Sequence, residues 1–277
     1  MIIDIHTHTF PGRIAEQTIA SMEQGIYDAQ GLKVRANIAG TYEALSQSSV
    51  ENHIDLSMVA PVATNPTQVQ KINSLSEKLN QRYSRNHVFY MGAMHPDCAN
   101  YKEILDEIAA MDLKMIKIHP DYQKTFFDDE KYIRIMDYAA NKGLGIIVHA
   151  GEDIGLPQII HCTPDRVLNV LKHIQPEVLV LAHMGGWRLW DEVEDKLVGQ
   201  PVYFDTAVSL KKDIPHMEKE QFVRIIRKHG ADRVLFGTDS PWDSQKTALE
   251  DVRKSGLSEE ELEWILGGNA QRMFWSE

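Results

Sequence analysis

The sequence predicts an α/β protein folded as a single-domain (β/α)8 TIM barrel. Eight short apolar runs alternate with longer amphipathic stretches along the 277 residues. Four of those runs, the first, fifth, sixth and eighth, end in His or Asp, and only a closed sheet makes the first and last strands neighbours. No Pro/Gly/Ser-rich linker, short repeat or low-complexity segment divides the chain, and barrels of roughly 250 residues usually form one domain.

In order, the predicted strands are 2–6, 56–62, 88–93, 115–119, 145–149, 178–183, 202–205 and 233–238. Helical periodicity fills the intervals at 65–84, 101–111, 130–142, 164–173, 187–198 and 219–229. Segment 10–50 is too long for an ordinary connection. It reads as a partly helical cap insertion over the barrel mouth. Residues 258–277 read as closing helices, because Ser258 can cap a first turn made of Glu259, Glu260 and Glu261.

Apolar residues make up 43% of the chain and charged residues 25%, an ordinary composition for a soluble globular protein. The net charge of −11 argues against nucleic acid or an anionic membrane as partner, since both need clustered Lys and Arg. No apolar run approaches the roughly 20 residues that span a bilayer. A strand starting at the first residues leaves no room for a secretory signal, and Cys98 and Cys162 form no CxxC pair. The expected setting is the cytoplasm, and the expected partner is a small-molecule substrate.

His6 and His8 lie two apart at the end of the first strand, where alternate side chains share a face. With His149 and Asp239 at other strand ends they make a site for one divalent metal, zinc by ligand type, with a position open to water. For any one of these histidines alone, a hydrogen-bonded core role is the plainer account. His183, in Ala182-His183-Met184-Gly185-Gly186, is read as a catalytic group that holds water, polarises a substrate oxygen or donates a proton; its alternative is structural. Asp239, in Gly237-Thr238-Asp239-Ser240-Pro241-Trp242, is both ligand and general base, against a turn aspartate; Trp242 offers an aromatic wall.

Lys117 and His119 alternate on the fourth strand. A lysine there either binds a substrate carboxylate or is carbamylated and bridges a second metal with His149 and His183. The plainer account is an ion pair with Asp205. Glu152 stands where a carboxylate can reach substrate, against a solvated loop acid. Tyr122, with Gln123, Phe126 and Phe127, is read as pocket lining. Asp4 shares the face of the histidines at greater depth and reads as an ion-paired core residue.

These motifs carry a family resemblance over essentially the whole chain. Asp4-Ile5-His6-Thr7-His8, Lys117-Ile118-His119-Pro120, Val148-His149-Ala150-Gly151, the His183 and Asp239 motifs and Asn269-Ala270 resemble the amidohydrolase superfamily. Within it they are similar to the amidohydrolase-2 branch, which includes aminocarboxymuconate-semialdehyde decarboxylase. The resemblance implies a metal held at His6, His8, His149 and Asp239, a catalytic histidine at His183, and a homodimer. His149-Ala150-Gly151-Glu152 is also similar to the fifth-strand signature of adenosine-type deaminases, with Glu152 as the acid.

The expected activity is metal-dependent hydrolysis of a small carbonyl, amide, ester or lactone substrate. Non-oxidative decarboxylation on the same ligands is the alternative, and deamination through Glu152 a further one.

Overall fold

A computed structural model describes residues 1–82 and 87–275. Strands β1 (Ile3–Thr7), β2 (Leu56–Val59) and β3 (Val88–Tyr90) pair in parallel, and so do β4 (Gly92–Ala93), β5 (Met115–Ile118), β6 (Gly145–Val148), β7 (Leu179–Leu181), β8 (Tyr203–Asp205) and β9 (Val234–Leu235). β3 and β4 are two pieces of one barrel strand, parted at Met91, whose amide still donates to Val59 O at 2.9 Å. The barrel closes between its first and last strands: Ile5 N donates to Phe236 O (2.9 Å), Asp239 N to His6 O (2.7 Å) and His8 N to Ser240 O (2.6 Å). The predicted (β/α)8 barrel is therefore present, with one strand interrupted where the apolar run 88–93 gives no warning.

The interior is filled by inward side chains of the strands and of the Met91 break, among them Ile3, Ile5, Met58, Met91, Met115, Ile147, Val180 and Leu235. Such layering makes a barrel a packed core and confines chemistry to its mouth. Ala270, Met273 and Phe274 of the last helix pack on this cluster. They do so at the strands' N-terminal end, where a Cβ on Gly267 would lie 2.3 Å from Met1 O.

The outer layer holds α1 (Gly12–Gln30), α2 (Tyr42–Glu51), α3 (Val69–Arg82), α4 (Tyr101–Ala110), α5 (Glu130–Asn141), α6 (Pro164–Leu171), α7 (Trp190–Lys196), α8 (Lys219–His229), α9 (Gln245–Arg253), α10 (Glu259–Glu263) and α11 (Asn269–Trp275). Side-chain caps set several starts: Thr41, Asp129, Thr163 and Ser244 each accept from a first-turn amide. Ser258 and Glu261 complete a capping box on α10.

The predicted helix 65–84 begins later, at Val69, because Pro66–Gln68 is a 3-10 turn. Its positions 83 and 84 lie outside the described residues, as do 276 and 277 of the tail. The predicted helix 187–198 starts only at Trp190, because Trp187 N is committed to Ala150 O (2.9 Å). α9 lies in a stretch for which periodicity predicted nothing; it buries only Gln245, Leu249 and Val252. Among the described residues no helix is long and apolar enough to cross a membrane.

Candidate active site

β1 pairs irregularly with β2 between Asp4 and Thr7, and this break separates two environments. Asp4 accepts from Thr238 N (3.0 Å), Thr238 Oγ1 (2.6 Å), Gln245 Nε2 (2.9 Å) and His6 N (3.3 Å). Hydrogen bonds, rather than the expected ion pair, hold that buried carboxyl. Beyond the break His6 reaches the barrel mouth.

His6 Nδ1 donates to Asp205 Oδ2 at 2.8 Å, which fixes the tautomer and leaves Nε2 with a lone pair. Lys117 Nζ donates to that Nε2 at 3.0 Å. Lys117 thus reaches Asp205 through His6, a relay that the expected direct ion pair did not include. Asp239 Oδ1 lies 3.0 Å from His8 Nε2 and 3.6 Å from His6 Nε2. The ligand atoms of His6, His8 and Asp239 all fall within 4.8 Å of one another.

His183 is fixed by its neighbours. Its backbone N donates to Asp205 Oδ1 (2.8 Å) and its Nδ1 to Ala207 O (3.2 Å), so Nε2 is left as acceptor, 3.1 Å from His149 Nδ1. His149 falls not in the first group but in a second, with His119 and Asp153, whose ligand atoms also lie within 4.8 Å of one another; His183, its ring 5.3 Å from that of His6, links the two. His149 Nε2 is then buried without a hydrogen-bond partner among the described residues. His119 stacks on His149 at 4.2 Å, and His119 Nε2 lies 3.4 Å from Asp153 Oδ2.

The backbone bends hard here. His183 (φ 60°), Met184 (φ 55°) and Asp239 (φ 63°) are left-handed non-glycine residues, a conformation kept where the surroundings over-determine it. Gly185 (φ 85°) must be glycine, since a Cβ would lie 2.8 Å from the Phe204 ring.

Burial, reinforced by the nearby lysine charge, pushes His6 and His119 well below the usual imidazole range. Burial does the same to His149, with its neighbouring histidines adding to it. These imidazoles are neutral near pH 7. Burial works upward on Asp239, but the His8 hydrogen bond and adjacent histidines hold its carboxyl down at about 2. Burial brings Lys117 down to about 8, opposed by Asp239 and Asp205. A neutral His6, whose Nε2 lone pair a cation would take over from Lys117, beside an ionised carboxylate fits a divalent ion, and the partnerless His149 Nε2 is a further donor atom of that kind.

A cavity of about 890 Å³ opens over this floor and is lined by His6, His8, Lys117, His119, His149, His183 and Asp239. Tyr122, Glu152 and Trp242 also line it. Glu152 is tethered at the rim, 2.8 Å from Arg188 Nη1, with Gln30 Nε2 at 3.3 Å. Of the aromatic cluster after β5 only Tyr122 lines the cavity. Gln123 is spent on Ala63 O and Met94 O, Phe127 is buried in the core and Phe126 is exposed.

Sequence reasoning passed over Asp153. It is buried beside His119 and His149, pushed up to about 7 by burial and by Asp121. The signal is local: Asp153 Oδ1 accepts from Gly155 N at 2.8 Å, the Asp-x-Gly turn visible in Asp153-Ile154-Gly155.

Similarity to solved structures spans the chain. An uncharacterised TIM-barrel protein of Bordetella bronchiseptica is 18% identical with a TM-score of 0.75, covering 98% of this chain and 97% of its own. 5-Carboxyvanillate decarboxylase of Sphingomonas paucimobilis is 15% identical with a TM-score of 0.67, over 99% and 98%. A dihydroxybenzoic acid decarboxylase of Polaromonas sp. JS666, solved with manganese and the inhibitor 2-nitroresorcinol, is 14% identical with a TM-score of 0.70, over 99% and 96%. No curated protein matches in sequence. The amidohydrolase family model matches residues 3–275, and the chain belongs to that family of enzymes.

Proposed function

We propose that the protein is a metal-dependent hydrolase of a carbonyl, amide, ester or lactone substrate. The observation that carries this reading is the convergence of His6, His8 and an ionised Asp239 within 4.8 Å at the floor of a deep cavity. His6, His8, His149 and Asp239 would hold one divalent ion, zinc by donor type. When bound, such an ion supplies Lewis-acid polarisation and lowers the pKa of a water. The chain's own groups do the rest. Asp239, unprotonated near pH 7, takes the proton of the attacking water. His183 Nε2, held beside His149 Nδ1 by the Ala207 bond, would exchange that contact for a water or substrate oxygen and orient it. Lys117 anchors an anionic substrate group, and segment 10–50 caps the mouth.

A second reading is non-oxidative decarboxylation, favoured by the names of the Sphingomonas and Polaromonas enzymes of the same fold. Deamination is disfavoured, because Glu152 is engaged by Arg188 and Gln30. Turnover of carboxylate-bearing esters, lactones and aromatic acids by metal-loaded protein in ¹⁸O-water separates the two. Hydrolysis puts solvent oxygen into the acid product; release of carbon dioxide without it would sink hydrolysis in favour of the second reading.

A further inference from the structure

The cavity is far larger than its polar floor requires. At about 890 Å³ it stands near the upper end of pockets that enclose drug-sized molecules. Its outer walls carry two apolar helix stripes, interrupted by Thr18 and Ser21 on α1 and flanked by Lys71 and Ser76 on α3. On α3, Ile72, Leu75 and Leu79 recur at the spacing of one helix face and all line the cavity. On α1, Ile14, Met22 and Ile26 do the same over about 18 Å of helix. A stripe of this kind normally buries itself against the core. Here Ile14 and Leu75 are each left 42% exposed, facing a cavity continuous with Lys117 and the histidines.

We infer that the substrate is an amphiphile: a polar, anionic head held at the His–Asp–Lys floor and an extended apolar tail, acyl or alkyl-aryl, laid between α1 and α3. The inference rests on the floor being the reacting end, and it replaces the small substrate expected from sequence by a longer one. The charge arrangement selects this occupant. The cationic Lys117 lies at the bottom and the apolar surface above it, so one molecule with one polar end satisfies both. Covering Ile14 and Leu75 removes apolar surface from water, and each tail methylene buried there raises affinity about 3- to 4-fold.

Calorimetric titration of the purified full chain with butanoate, octanoate and dodecanoate tests this without any turnover, so failure of the hydrolase reading would leave the result interpretable. The dissociation constant should fall steeply from butanoate to octanoate. Leu75→Asp and Ile14→Asp should each flatten that dependence while leaving butanoate affinity unchanged; they lie on separate helices, so one well-folded variant suffices. Equal affinity for all three acids, or an undiminished chain-length dependence in the variants, overturns the inference. So does sedimentation showing a dimer that both substitutions dissociate, because the stripes would then be covered by a second copy of the chain.

Discussion

Lys117 Nζ and His6 Nε2 meet at 3.0 Å, so the one free lone pair of His6 is shared between an ammonium and whatever cation enters the site. Asp205 holds the other nitrogen of His6 as a donor, so that lone pair cannot turn away. Lys117→Met should therefore leave one ion per chain and raise KM about 10- to 100-fold, the worth of a charged hydrogen bond to a substrate anion. Elemental analysis with steady-state kinetics checks it. A fall from two ions towards one in the variant, with bicarbonate aiding metal reconstitution of the wild-type protein, would instead assign Lys117 as a carbamylated bridge.

His183→Asn should keep the metal and lose at least ~100-fold in turnover, the lower end of what a positioned proton-transfer group contributes. Its Nε2 meets His149 Nδ1 and its other contacts run to backbone atoms and Asp205, so its loss releases His149 but does not remove the His6, His8 and Asp239 group. Metal content measured beside kcat decides the matter: a metal-free variant makes His183 a ligand, and unchanged kcat makes it structural.

What could be read from sequence followed from period. Strand alternation places His6 and His8 together, and four apolar runs ending in His or Asp imply a closed sheet. Partners across the barrel were harder, because residue type does not specify which atom lies between two charges. Lys117 and Asp205 were paired by type, whereas His6, 111 residues from Lys117, stands between them. Glu152 and Asp153 are adjacent acids that composition cannot rank. A loop turn sends the first to Arg188 and the second to His119. The Met91 break and α9 escaped for a similar reason, since neither interrupts or creates a strong apolar period.

Asp4→Ala should destabilise the fold by about 2–3 kcal/mol, because it strips acceptors from Thr238 and Gln245 in a buried setting. Thr238 precedes Asp239 directly, so the same change should also lower metal affinity, while Asp4→Asn keeps part of the network and recovers part of both. Denaturant melts and metal titration report the two effects separately. A variant with wild-type stability would show that water replaces the lost carboxylate.

His229 sets a pH dependence outside the active-site cavity. It is 1% exposed and stacked on Phe204 at 4.1 Å. Its Nε2 donates to Val202 O (2.9 Å) and its Nδ1 accepts from Gly199 N (3.1 Å), so the neutral ring satisfies both nitrogens. Burial lowers its pKa from 6.5 to about 4. Between those values the unfolded chain binds a proton that the folded chain refuses, so stability is fully present above pH 6.5 and lost as pH falls towards 4. The gap corresponds to about 3 kcal/mol at 1.36 kcal/mol per pH unit. His229→Gln cannot titrate, keeps an amide donor for Val202 O, and should flatten the stability profile between pH 6.5 and 4 while costing stability at neutral pH. Urea melts of both proteins across that window check it. An equally steep acid slope in the variant would move the effect to another group.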